Sequence, residues 1–145
     1  MKPYTEAFTL LELVTALAIV AVLAAFAVPS YRTHVMRAHR TDAASALYRA
    51  AQFVETNGRS GETAALPPGL DQAPQAGTPV YRLQVLPADD INGGYALHAT
   101  PSDAGPMRDD PCGTFALDAT GSRTNRAPGS GVLLVDSGSC WNARQ

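Results

Sequence analysis

Apolar residues gather at one end of this chain. Between Glu12 and Arg32 lie 19 residues, Leu13 to Tyr31, none of them charged and most of them Leu, Val, Ala or Ile. About 20 predominantly apolar residues wound as a helix cross a hydrocarbon core. The run therefore reads as a membrane-inserted segment behind a very short N-terminus. The pattern then changes. From Tyr31 to Thr56 there is no Gly or Pro, and Met36, Ala43, Leu47, Ala50 and Val54 return at helical steps. Arg37, Arg40, Arg49 and Gln52 fill other faces, and Asn57-Gly58 is a stop. A helix from Phe8 to about Thr56 would have 49 residues and a length of roughly 73 Å. Its second half is amphipathic and needs a sheet to cover its stripe.

Gly58 to Thr78 is rich in Gly and Pro and reads as a long irregular loop. Alternation follows. Tyr81, Leu83 and Val85 alternate with Arg82 and Gln84; Tyr95, Leu97 and Ala99 with Ala96 and His98; Phe115 and Leu117 with Thr114, Ala116 and Asp118. Ala119 to Ser122 supplies a turn, after which Arg123 to Arg126 can pair back. The expectation is an antiparallel sheet of about four short strands, with its apolar face on the helix. Gly131 to Val135 is either a further strand or a packed tail. The fold class is α+β.

Length bounds the rest. The 145 residues suit one domain. A formal net charge of -2 gives no overall basic excess to favour nucleic acid. The two cysteines, Cys112 and Cys140, stand 28 positions apart. Neither lies in a CxxC motif and no His stands at ligand spacing, so zinc is a weak reading. A catalytic thiol would need a base, for which His98 is the one candidate. An even pair beyond a membrane segment points to a disulfide in an oxidising compartment. His34 and His39 read as surface residues of the helix. Asp103, Asp109 and Asp110 are close enough to raise calcium but lack the regular spacing of a known loop. Asp89-Asp90 and Asp109-Asp110 are paired carboxylates in turn-like contexts, with no nucleophile and base beside them, so no enzyme is expected. No GxxxxGK[ST] phosphate loop is present.

Two features of the apolar run need a cause. Glu12 sits where a charge costs roughly 2.5–3.5 kcal/mol at mid-membrane and less near an end. A carboxylate there requires a partner, and the earlier cations are Lys2 and an amino terminus. Pro29 removes a helix hydrogen bond, so a kink is expected. A cleaved signal peptide, with Ala25-Phe26-Ala27 before Val28, competes as a reading, but Glu6 and Glu12 outnumber Lys2 and make a poor leader.

The run Ala7-Phe8-Thr9-Leu10-Leu11-Glu12-Leu13-Val14 resembles the processing signal of type IV prepilins: a short polar leader, a small residue, Phe, then Thr-Leu-x-Glu and an apolar helix. The resemblance implies that a prepilin peptidase cuts between Ala7 and Phe8 and methylates the Phe8 amine. Glu12 would become the fifth mature residue, where it pairs with the amine of a neighbouring subunit and sets register. Pro29 would be a point where the helix stretches on assembly. The family nearly always has Gly before the cut, so Ala7 implies slower processing. Tyr95-Ala96-Leu97, Cys112-Gly113-Thr114-Phe115-Ala116-Leu117-Asp118, Gly121 and Cys140-Trp141 are similar to PilE-type minor pilins, whose cysteines bracket a C-terminal region. Arg32, Arg37 and Arg40 follow the apolar run, and the positive-inside rule alone would put the head in the cytoplasm. Signal-type targeting of pilins and the cysteines favour the periplasm.

The resemblance implies the type IV pilin fold with a leader 1–7, a membrane or fibre-core helix 8–30, an amphipathic helix 31–57, an αβ-loop 58–79 and a head 80–145. It implies a structural, minor subunit of a type IV pilus, working in pilus biogenesis, twitching motility and adhesion, without a cofactor or metal. Expected partners are other pilin subunits, the prepilin peptidase, the inner-membrane assembly platform and the lipid bilayer. Expected localisation is the inner membrane and then the surface fibre. Two alternatives remain. A DNA-binding competence pilin would use Arg123 and Arg126, a weak patch beside Asp118 and Asp136. A type II secretion pseudopilin would share the N-terminal signal.

Overall fold

A computed structural model describes residues 8–57 and 65–142. The expected leader, Ala7 included, and the stop at Gly58 lie outside these residues. Contacts divide the chain into two compact units, Met1–Val35 and Met36–Gln145.

Helix α1 spans Leu10–Asn57 and runs through the boundary between the units. Its start follows from sequence. Thr9 accepts the Glu12 backbone N–H on its hydroxyl at 3.2 Å, and its carbonyl accepts the Leu13 N–H at 3.2 Å. Thr9-Leu10-Leu11-Glu12 therefore has the order of a capping box, with an acid in the positive first turn. In the first unit the large apolar side chains from Phe8 to Val28 are between 50% and 83% exposed. The helical run contains Pro29, whose carbonyl accepts the Thr33 hydroxyl at 3.1 Å.

In the second unit α1 packs on a five-stranded antiparallel meander in the order β1 to β5. The strands are β1 (Gln72–Ala73), β2 (Tyr81–Leu86), β3 (Ala96–Pro101), β4 (Thr114–Asp118) and β5 (Arg123–Arg126). Four occupy the expected segments. The fifth, β1, lies in the stretch read as irregular loop and pairs Gln72 and Ala73 with Arg82 and Tyr81. Two residues between prolines and glycines carry no alternation, so only the tertiary pairing defines this strand.

The core joins Ala43, Ala46, Leu47, Ala50, Ala51 and Val54 of α1 to Tyr81, Leu83, Leu97, Ala99, Phe115 and Leu117. Alanines hold the helix backbone close to the sheet, and the larger side chains come from the strands. Each fully buried Leu or Phe contributes about 1.5–3 kcal/mol relative to exposure. Tyr81 meets Phe115 edge to face at 5.9 Å, and Phe115 meets Trp141 at 5.2 Å. Met36, the first residue of the expected stripe, is half-buried at the rim.

The Gly131 to Val135 run is a tail with one isolated bridge, Arg126 to Leu133. Ala127 donates to the Val132 carbonyl and Leu134 to the Asn125 carbonyl, both at 2.8 Å. Val132, Leu133 and Val135 stay exposed. A four-residue helix, α2 (Gly138–Trp141), follows.

Candidate functional site

Most of the residues singled out from sequence fall in three places. The first is the start of α1. Phe8 is 83% exposed, and Glu12 is exposed, with its backbone held by the Thr9 cap. The Thr15 hydroxyl donates to the Glu12 carbonyl at 2.9 Å. Among the described residues the Glu12 carboxylate has no hydrogen-bond or ion-pair partner. The capping role of Thr9 was legible as a T-x-x-E pattern and was not singled out from sequence.

The second place is the cysteine-bracketed segment. Cys112 and Cys140 form a disulfide with their Cα atoms 5.7 Å apart. Neither sulfur is a free thiol, so His98 has no nucleophile to serve. The bond ties α2 to a point two residues before β4 and seats Trp141 on Phe115. Arg123 is exposed on β5, and its guanidinium lies 5.9 Å from the Trp141 ring centroid. Arg126 is half-buried, and its Nη1 donates to the Gly131 carbonyl at 3.3 Å. The two arginines thus stand apart in environment: one open to solvent over an aromatic ring, the other partly enclosed.

The third place is the outer face of the sheet, away from α1. Register sets Gln84, His98, Ala116 and Thr124 in one row across β2 to β5. Leu86, Ala96 and Asp118 form the next row. The small side chains of Ala96 and Ala116 leave a trough of about 470 Å³. Asp118 is saturated by donors: the Thr120 N–H and hydroxyl at 2.9 and 2.6 Å, and the Ser122 N–H at 2.9 Å. These bonds hold its pKa below the ordinary value against a partial desolvation that raises it. Burial, aided by the Arg126 charge, pushes the His98 pKa down.

Three of the four carboxylates read as pairs make bonds within the fold. Asp110 is buried and bound by Arg40, whose Nε donates to Oδ2 at 3.1 Å and whose Nη2 donates to Oδ1. Arg40 had been placed among polar positions on the other helix faces; it is half-buried, and this pair joins α1 to the loop between β3 and β4. Asp109 pairs with Arg108 at 3.1 Å on the surface. Asp89 accepts the Ile91 and Asn92 N–H groups at 2.9 and 2.7 Å and shapes its turn. Among the described residues no three His, Cys, Asp or Glu side chains converge as metal ligands. His34 is exposed; His39 is half-buried with an Nδ1 that lacks a partner, which corrects its reading as a surface residue.

An exposed apolar rod capped by an acid, continued into a helix on an antiparallel meander with a disulfide-pinned tail, defines a pilin-like α+β protein. Comparison with known proteins specifies it further. Residues 29–116, more than half of the chain, match the family described as type IV minor pilin ComP, DNA uptake sequence receptor. The chain is also 33% identical over 103 residues to the type IV major fimbrial protein FimA of Dichelobacter nodosus. That alignment covers 71% of this chain and 57% of the relative, so the chain spans just over half the length of the relative it matches. The chain belongs to the type IV pilin family.

Proposed function

We propose that the protein is a structural, minor subunit of a type IV pilus and acts by assembling. The observation that carries this reading is the first unit. Its helix is long and apolar enough to cross a membrane, and its large apolar side chains from Phe8 to Val28 are all at least half exposed. Such a surface demands a cover, and lipid before assembly and neighbouring helices after it supply one in turn. In this account the peptidase cuts between Ala7 and Phe8 and methylates Phe8, leaving the helix on the mature chain. Glu12 then faces the Phe8 amine of a neighbour, which offsets a charge that is costly in an apolar surrounding. Pro29 leaves the Ala25 carbonyl without its helix donor and marks the point where α1 yields on assembly. The precursor rests in the inner membrane with the head in the periplasm, engages the assembly platform and enters the surface fibre that serves twitching and adhesion. Mass spectrometry of the protein from sheared fibres tests this reading. The expected N-terminus is methylated Phe8; a start at Val28, or absence from fibres, overturns it.

A second reading, uptake of DNA, is favoured by the family description, which names a DNA uptake sequence receptor. Arg123, exposed and stacked on Trp141, is the better placed of the two arginines for a phosphate contact. Duplex binding that weakens with salt and is lost in the Arg123→Ala, Arg126→Ala double variant supports it. The pseudopilin alternative separates by phenotype: loss of the gene would impair protein secretion rather than twitching.

A further inference from the structure

The trough on the outer sheet face has no part in the assembly reading, and its polar groups divide into two sets. The first set is spent on the protein itself. Asp118 takes its three donors from the turn that follows. Asn92 donates to the Pro87 carbonyl at 2.9 Å and accepts the Asp89 and Gly94 N–H groups at 3.1 and 3.0 Å. These bonds make the loop between β2 and β3 a firm wall. The second set is unspent. His98 and Thr124 line the trough, and neither side chain makes a hydrogen bond among the described residues. Arg126 lines it as well, with a buried Nε that has no partner and only the 3.3 Å contact from Nη1 to Gly131. Among the described residues Arg126 has no carboxylate within ion-pair distance.

A half-buried guanidinium without a counter-ion attracts an anion, and charge-assisted hydrogen bonds are roughly twice as strong as neutral ones. Burial keeps His98 neutral near pH 7, so it offers a hydrogen bond without adding a second positive charge. One cation and two neutral hydrogen-bonding groups suit a monoanion. The ends of the trough differ. Arg126 pairs with Thr114 and Asp118 with Ala96, two outward rows apart, which is roughly 13 Å along the strands. The fixed negative charge of Asp118 repels an anion at its end. The space between is floored by Ala96 and Ala116 and walled by Leu86, Ile91 and Leu133. A volume of about 470 Å³ falls within the ~300–1,000 Å³ of ordinary small-molecule sites, which share this mixture of apolar walls and few polar groups.

We propose that this trough binds a small organic acid: a carboxylate seated on Arg126, His98 and Thr124, carried by an apolar body that lies over Ala116 and Ala96. The proposal does not depend on the pilus reading. Its test uses the full chain with methyl labels in discs of zwitterionic phosphatidylcholine, titrated with hexanoate and followed by NMR. Saturable shifts are expected at the Ala96, Ala116 and Leu133 methyls, with a midpoint on the order of 1 mM for a ligand of this size. Acetate, lacking the body, and hexanol, lacking the charge, should each bind at least about tenfold more weakly. Arg126→Gln removes the anchor and Ala96→Leu fills the floor; either should abolish saturation while the core methyls of Leu47 and Leu97 keep their positions. Equal binding of hexanol, or persistence of the shifts in both variants, overturns the proposal. So do shifts confined to Leu13 to Leu23, which report partition into lipid. So does a DNA duplex that moves the same methyls where hexanoate does not, which assigns Arg126 to a phosphate.

Discussion

Asp110 shows how much one side chain decides in so small a head. It is buried beneath Arg40, 70 residues away in sequence. Removing one partner of a buried ion pair strands the other, at a cost of about 3–5 kcal/mol. Arg40→Ala should therefore lower the denaturant midpoint sharply, since it strands a carboxylate with no access to water. Asp110→Ala should cost less, because the arginine left behind keeps some contact with water. Replacing both by Leu and Met should recover most of the loss, since an apolar pair leaves no charge behind. Tyr81 gives the opposite sign. Its hydroxyl is buried without a partner, and burial, with Asp110 next in effect, drives its pKa well above the ordinary value while Arg40 opposes. Tyr81→Phe should be neutral or stabilising by about 1 kcal/mol.

His98 sets a pH dependence at the same scale. Burial first, then Arg126, lowers its folded pKa beneath the ordinary 6.5. The unfolded chain thus binds the proton more readily, and stability falls as pH drops through the unfolded value, levelling off below the folded one. Above about pH 7 the effect is absent. Thermal melts between pH 7.5 and 5 should show this slope in the parent and a flatter one in His98→Gln. Asp118, whose folded pKa is lowered, contributes stability above the ordinary carboxylate value of 3.8 and loses it below, in a separate window.

At the scale of elements, the disulfide carries a tail that local structure cannot hold. Helix α2 has four residues, far short of independent stability, and the preceding run makes a single bridge. The Cys112–Cys140 bond closes a 28-residue separation, worth about 3–4 kcal/mol in the chain-entropy model. The Cys112→Ser, Cys140→Ser double variant should lose about that much, with Trp141 fluorescence shifting to the red as the ring leaves Phe115. Gly113 beside it is fixed by geometry. Its φ is +51°, and a Cβ would collide with the Arg126 carbonyl and stand 3.0 Å from the Pro128 nitrogen. Strain and overlap together make Gly113→Ala cost on the order of 3 kcal/mol.

The four longer strands and the helix stripe were legible because alternation and helical period are local signals, and Tyr81, Leu97 and Phe115 sit where the period puts them. What stayed hidden depends on distant partners. β1 exists only through its pairing with β2. Ala46 and Ala51 belong to the core, yet alanine suits either side of a helix and gives no sign. Arg40 reads as a polar position of the helix and Asp110 as a turn carboxylate, since nothing local links two residues 70 apart. The trough arises from register, since Ala96 and Ala116 are unremarkable until the pairing places them side by side on one face.

At the scale of the whole molecule, the buried residues of α1 begin at Ala43, and the compact head starts at Met36. Among the described residues none of α1 before Ala43 is buried. Glu12 therefore tests assembly without touching the fold of the head. Glu12→Gln keeps the size of the side chain and the Thr9 backbone cap, and it removes the charge. In a membrane the neutral amide is the cheaper group, so the precursor should insert and be processed to methylated Phe8 as well as the parent. The head should melt at the same temperature, with the disulfide formed. If the carboxylate pairs with a neighbour's amine, the amide leaves that amine in an apolar surrounding without its charge partner, and the amount of this subunit in sheared fibres should fall at least tenfold, equivalent to about 1.4 kcal/mol or more. Glu12→Asp, charged but shorter, should restore part of the yield. Quantitative immunoblots of fibre and membrane fractions read all three at once. Full incorporation of the amide variant would remove Glu12 from the register of the fibre and leave it a capping acid alone.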